Sequence, residues 1–276
     1  MAVPQSRRVS PALRTGSGLA AGAATARSSF ALLSRLDRPG WRQRNYRGRE
    51  VSLAAGPALV AGVLAGAAVA RPEGGSAVSR ALLLAVGPAA MAGGCDDLFG
   101  SSQARGLGGH LRALRSGTVT SGIVKVAGIG AGAGLAAYQL GGAGYDVVVA
   151  SGLVAGAANL GNLLDLRPGR TAKVALLTGV PLVAHPAGWP AAGAVGAVAG
   201  LLRLELHERA MLGDCGANAL GAALGVATAV RAGPRGRARM LGAIAALTLL
   251  SERVSFSSVI SRNRVLRWLD RLGRMT

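Results

Sequence analysis

Apolar residues in this chain fall in blocks of about 15 to 20, separated by short arginine-rich segments, and that alternation constrains the fold more than any other feature. A helix rises about 1.5 Å per residue, so a block of this length reaches most of the way across roughly 30 Å of hydrocarbon. Half of the 276 residues are hydrophobic and only 16% are charged, which is the composition of a membrane protein. Aromatics make up 3%, whereas Gly and Ala dominate the blocks, so helices are expected to pack by close backbone approach rather than by interlocking bulky side chains.

The blocks lie at about 51 to 70, 77 to 94, 119 to 138, 145 to 161, 172 to 189, 190 to 204, 216 to 231 and 239 to 254. The segment 16 to 36 is a weaker ninth, because Arg27 in mid-span costs about 2.5 to 3.5 kcal/mol against small gains from Ala and Gly. The expected fold is therefore all-α, a polytopic transmembrane bundle of about eight or nine spans. Three regions follow: an N-terminal basic segment over 1–50 with the weak first span and a loop, a membrane domain over 51–254, and an amphipathic tail over 255–276. Strict alternation puts the loops near 35–50, 95–118, 162–173 and 205–215 on one side, together with the tail. Counted with Arg203 and Arg253 at their edges, these segments hold 20 Lys and Arg against 6 on the other side, so the positive-inside rule makes them cytoplasmic and sets the chain in the inner (plasma) membrane. The cluster Arg231, Arg235, Arg237 and Arg239 is the exception.

The net charge of +19 raises nucleic acid as a partner, but the basic residues lie between apolar blocks, where they set topology and touch anionic membrane lipid. No nucleic-acid binding is expected. Two cysteines, Cys95 and Cys215, are too few for a disulfide framework, and no cleaved signal peptide is expected.

Carboxylates at a hydrocarbon boundary need a partner, so the 12 acidic residues are informative. Asp96 and Asp97 follow Gly94-Cys95, Asp165 follows Asn159 and Asn162 at intervals of three, and Asp214 stands in Gly213-Asp214-Cys215-Gly216. All four are expected at the cytoplasmic ends of helices. Adjacent carboxylates repel by about 4 kcal/mol at an effective dielectric near 20, so Asp96 and Asp97 are comfortable when solvated, protonated or facing a cation. Oxygen ligands of this kind suit Mg²⁺, or Mn²⁺. Asn159, Asn162 and Asp165 share a helical stripe, which serves interhelical hydrogen bonding as well as ligand contact. Lys125 lies about 9 Å into its span and can snorkel toward the carboxylates or a phosphate. Asp214 either ligates a cation or caps the helix that begins near Cys215.

In this order the three motifs resemble those of the polyprenyl-phosphate N-acetylhexosamine-1-phosphate transferase superfamily: an Asp-Asp motif, Asn-x-x-Asn-x-x-Asp, and Gly-Asp-x-Gly. Arg44-Asn45-Tyr46-Arg47-Gly48 is similar to the segment leading into the family's second span, and the likeness covers about residues 40 to 230. The resemblance implies a Mg²⁺-assisted transfer of an N-acetylhexosamine-1-phosphate from a UDP-amino sugar to a polyprenyl phosphate lipid, in cell-envelope polymer synthesis. By the same resemblance Asp214 is the metal ligand, Asp96, Asp97 and Asp165 are catalytic, and Asn159 and Asn162 bind substrate; Lys125 is expected to join them by its reach toward a phosphate. A homodimer is left open. The chain departs from the pattern where the middle motif continues: it reads Leu166-Arg167-Pro168-Gly169-Arg170, with Pro168 in place of a second carboxylate. A late His-rich loop has no counterpart, the histidines being His110, His185 and His207, and the family's last span is missing. Arg167, Arg170 and Lys173 are accordingly expected to contact phosphate, unless they serve topology alone. The departures equally suit a catalytically weakened paralogue that binds prenyl-phosphate lipid or nucleotide as a regulator or scaffold. A transporter is a third class, though its charges would be expected near the midplane. In the tail, Val265, Leu266, Trp268, Leu269 and Leu272 oppose Arg264, Arg267, Arg271 and Arg274, the pattern of an interfacial helix.

Overall fold

A computed structural model describes residues 9–36, 39–100, 115–117 and 120–274. Of the residues named above, His110 lies outside the described residues. The described chain is all-α, apart from one small hairpin. Its helices are α1 (Pro11–Leu33), α2 (Ala55–Ala70), α3 (Ser76–Phe99), α4 (Ser121–Gln139), α5 (Tyr145–Leu164), α6 (Arg170–Val183), α7 (Trp189–Leu206), α8 (Gly213–Arg231), α9 (Pro234–Arg253), α10 (Phe256–Arg262) and α11 (Arg264–Arg271). By length and composition α3, α4 and α5 are apolar enough to cross a membrane, and α9 with α10, bent by 88° at Val254, would make a fourth crossing. The protein is thus membrane-associated and helical.

Two packed groups share α8 and α2 between them. One is the trio α1, α2 and α7; the other sets α8 against α3 and α5, with α4 and α9 outside them. Small residues make both possible. A Cβ on Gly66 of α2 would stand 2.5 Å from the Gly18 carbonyl of α1, and one on Gly62 would stand 2.6 Å from the Gly22 carbonyl. Gly161 of α5 meets the Ala217 carbonyl of α8 in the same way, at 2.5 Å. Such contacts gain dispersion along whole backbones without any bulky side chain. They also explain why α1 is a full member of the bundle: Gly18, Gly22 and Ala26 are buried, while Arg27 is exposed about 9 Å from the helix end. A hydropathy sum scores side chains and misses a face whose value lies in having almost none. The N-terminus of α1 is closed by Ser10, whose hydroxyl accepts from Leu13 N at 3.2 Å.

The hairpin pairs β1 (Arg42–Arg44) with β2 (Glu50–Ser52) antiparallel, Arg42 opposite Ser52 and Arg44 opposite Glu50. Asn45 organises its turn by accepting from Arg47 N (2.8 Å) and Arg49 N (3.1 Å), and Gly48 supplies the left-handed backbone, φ 73°. Asn45 Nδ2 then donates to Glu208 Oε2 at 3.1 Å, and Ser52 exchanges backbone hydrogen bonds with Arg209 and Met211. The hairpin is thereby fastened to the loop between α7 and α8, which leads directly into the candidate site.

Candidate functional site

Four helices meet at one end of the bundle: the C-terminal ends of α3 and α5, and the first turns of α4 and α8. Each brings at least one polar residue singled out in the sequence. Lys125 of α4 sits between two carboxylates, with Nζ 3.3 Å from Asp96 Oδ2 and in direct ion-pair contact with Asp214 Oδ2. Its side chain is only 12% exposed and that of Asp214 29%, so the pair is largely shielded from water. Asn162 completes the group. With its amide oxygen toward the ammonium, it accepts from Lys125 Nζ at 3.0 Å and donates to Asp214 Oδ1 at 2.6 Å. Two carboxylates therefore share one ammonium, and a negative charge is left uncompensated.

Asp97 has a different task. Its Oδ1 accepts from Asp214 N and its Oδ2 from Cys215 N, both at 2.9 Å. The N-cap position of α8 is Leu212, which offers no side-chain acceptor. A carboxylate from α3 therefore caps α8 across the helix pair, satisfying two free amides and facing the positive end of the helix dipole. Gly213 is required here: its φ is 61°, and a Cβ would stand 2.8 Å from Asp97 Oδ2. Gly93 lets α3 approach, since a Cβ there would strike the Asp214 carbonyl. Of the two roles open to Asp214 in the sequence, capping is thus filled by Asp97. That leaves the Asp214 carboxylate free for Lys125, while Asn218 Nδ2 holds the Asp214 carbonyl at 2.7 Å.

The remaining motif residues separate into two groups. Asp165 closes α5 and is 8% exposed, yet neither carboxylate oxygen has a hydrogen-bond donor; the hydroxyl of neighbouring Thr171 donates instead to Gly161 O at 3.1 Å. Burial, followed by the charge of Glu205, raises its pKa well above the ordinary carboxylate range, so its neutral form is favoured. Asn159, one turn back along α5, makes no side-chain hydrogen bond among the described residues.

The basic loop expected to contact phosphate is engaged with the tail. Arg170, 4% exposed, donates from Nε to Asp270 Oδ1 at 2.9 Å and from Nη1 to Ser257 Oγ at 3.1 Å. Arg274 reaches the same Asp270 oxygen at 3.1 Å, and Arg167 lies 3.9 Å from the other while covering the Tyr46 ring at 4.6 Å. Lys173 donates to the carbonyls of Leu269 (3.1 Å) and Asp270 (2.8 Å). In this structure Arg170 and Lys173 clamp the C-terminal helix to the α5–α6 loop, with Arg167 alongside. Burial by itself would raise the Asp270 pKa, but the hydrogen bond from Arg170 and the charges of Arg274, Arg170 and Arg167 hold it below the ordinary carboxylate range.

Sequence reasoning missed Asp270, Glu205 and Glu208. Glu205, wholly buried, accepts from Gly169 N at 3.2 Å and Leu212 N at 2.9 Å, tying the α5–α6 loop to the entrance of α8. Each of the three bonds to partners elsewhere in the chain, and only Glu205, standing between Leu204 and Leu206, carries a hint of that in the sequence.

Among the described residues, no three of the His, Cys, Asp and Glu side chains lie close enough together to cage a metal ion. Mg²⁺, however, is commonly held by one or two carboxylates, with phosphate oxygens and water filling the rest of its shell. Asp96, Asp214 and the Asn162 amide oxygen form a hard-oxygen donor set of that kind, with excess negative charge, and so fit it. No protein-family model matches this chain, and no curated protein is detectably similar to it.

Proposed function

We propose that this protein is a polyprenyl-phosphate N-acetylhexosamine-1-phosphate transferase of the inner (plasma) membrane, acting in cell-envelope polymer synthesis. The observation that carries the reading is the meeting of Asp96, Lys125, Asn162 and Asp214, from four helices, in one half-buried cluster. Three separate motifs have no structural need to converge on a shared ammonium. On this reading α1, α2, α6, α7 and α8 complete a bundle of eight or nine crossings, short helices being shielded by their neighbours, and the excess of basic residues sets the cluster on the cytoplasmic face.

In the reaction, a phosphate oxygen of polyprenyl phosphate attacks the β-phosphorus of a UDP-amino sugar. A new P–O bond forms, the bond from that phosphorus to the bridging oxygen breaks, and UMP leaves with the electron pair. Lys125 is placed to exchange a carboxylate for a phosphate oxygen, since its ammonium already lies at the junction of three polar groups. Asp97 keeps the α8 entrance rigid so that Asp214 is presented at a fixed angle. Asp96, Asp214 and Asn162 would hold Mg²⁺, which when bound neutralises and aligns the phosphates. For the prenyl chain, an apolar cavity of about 710 Å³ runs between α5, α6, α8 and α9, from Leu164 and Thr171 near Asp165 toward Arg231. Its walls are mostly aliphatic, with Thr171, Thr178 and Thr228 among them.

One observation favours the second reading, a weakened paralogue that binds lipid or nucleotide: Arg170 and Lys173 are already occupied by the tail. The two are separated by incubating purified protein with polyprenyl phosphate, Mg²⁺ and a panel of UDP-sugars. The transferase yields UMP together with a lipid-linked sugar; lipid binding without either product favours the paralogue.

A further inference from the structure

Away from the Asp214 cluster, the parallel helices α1 and α7 part near their C-terminal ends around a cleft of about 430 Å³. Arg27, Arg203, His207 and Arg209 line it, together with Phe30 and Leu204. The three arginines make no side-chain hydrogen bond or ion pair among the described residues. The acidic residues nearest in sequence to Arg203 and Arg209 are committed elsewhere. Glu205 is bonded to Gly169 N and Leu212 N, and Glu208 to Asn45, Arg47 and Arg49. Other guanidinium groups at this end of the bundle have carboxylate partners, Arg170 and Arg274 on Asp270 among them.

Three guanidinium groups around one cleft repel each other unless an anion sits between them, and their forked donors match phosphate oxygens. Phe30 and Leu204 supply an apolar wall, which a free phosphate would leave unused and an acyl chain would cover. We propose that the cleft binds the phosphate headgroup of an anionic membrane phospholipid, with its acyl chains lying against α1 and α7. Arg27 then has a role as well as a tolerable position: its charge meets the headgroup layer rather than the hydrocarbon. The proposal stands independently of the transferase reading.

The test uses the full chain in detergent micelles with a fluorescent phosphatidylglycerol, and fluorescent phosphatidylcholine as the neutral comparison. Phosphatidylglycerol is expected to bind more tightly. Arg203→Gln and Arg209→Gln are each expected to weaken it about fivefold. Because both side chains are exposed, the folded protein should survive the changes, and Arg203→Lys should restore part of the affinity. Arg235→Gln, on an exposed turn of α9, should bind as the unaltered protein does. Equal binding of the two lipids, or equal losses in Arg235→Gln and Arg203→Gln, overturns the proposal. Displacement by inorganic phosphate at concentrations as low as those of the lipid itself overturns the assignment to phospholipid.

Discussion

Two ionic clusters at the same end of this bundle are built from the same side-chain types in opposite ratio. Around Lys125, one ammonium serves Asp96 and Asp214, and negative charge is in excess. Around Asp270, one carboxylate takes Arg170 and Arg274, with Arg167 and Lys173 alongside, and positive charge is in excess. The second cluster joins a chain end to a loop and leaves its carboxylate satisfied. The first joins four helices and leaves carboxylate oxygen available. Excess negative charge suits a cation and its phosphates, whereas a saturated carboxylate suits a clamp. The difference between a site and a fastening therefore lies in the charge left over, not in burial.

The contrast is broken most severely by removing the clamp's single anion. Asp270→Ala leaves the Arg170 charge buried without a counter-ion, its hydrogen bond to Ser257 notwithstanding, a loss of about 3 to 5 kcal/mol for a buried pair. The tail should come free, which limited proteolysis after Val254 would detect, while binding at the Asp214 cluster persists. Loss of that binding along with the tail would show that the two clusters form one unit.

Capping is the next largest effect. Asp97→Ala frees two buried backbone amides at the start of α8, at a cost of about 1 to 3 kcal/mol. A lowered midpoint of thermal unfolding is expected, with Asp97→Asn intermediate because one acceptor oxygen remains. If Asp97→Ala unfolds as the unaltered protein does but loses turnover, Asp97 belongs with the reacting groups after all.

Acid should sharpen the distinction further. The Asp270 pKa is depressed in the folded protein, so its contribution is fully present above the unfolded value of about 3.9 and is lost as pH falls through the lower folded value. The tail should thus stay bound at pH 5 to 8 and be released only in stronger acid. Release near pH 6 would mean that another group controls the clamp. Asn159→Ala marks the small end of the scale, with a change within about 0.5 kcal/mol, since its side chain has no partner among the described residues.

Much of this was legible in advance. Apolar block length gave most helices, and acidic residues at block ends marked Asp96, Asp97, Asp165 and Asp214 as a set; the structure links Asp96, Asp97 and Asp214 and adds Asn162, while Asp165 makes no hydrogen bond to them. Lys125 was legible as a side chain able to reach back from within its span. The Asp97 cap was not, because it depends on how closely Gly93 lets α3 approach α8, a packing detail that spacing does not encode. Asp270 was hidden for another reason. It lies 100 residues from Arg170, inside a stripe of arginines that reads equally well as a face turned to lipid headgroups. The packing of α1 into the bundle was not legible, because glycine faces contribute through contact, not transfer; its weak standing as a span is unchanged.

The central claim is that the uncompensated charge at Asp214 serves phosphoryl transfer, and Asp214→Asn tests it most directly. The substitution keeps size and hydrogen bonding, and α8 remains capped by Asp97. UMP formed from a UDP-amino sugar and polyprenyl phosphate should depend on Mg²⁺ in the unaltered protein and fall by at least about a hundredfold in the variant, with thermal unfolding unchanged. Equal, Mg²⁺-dependent UMP formation by both proteins would contradict the account.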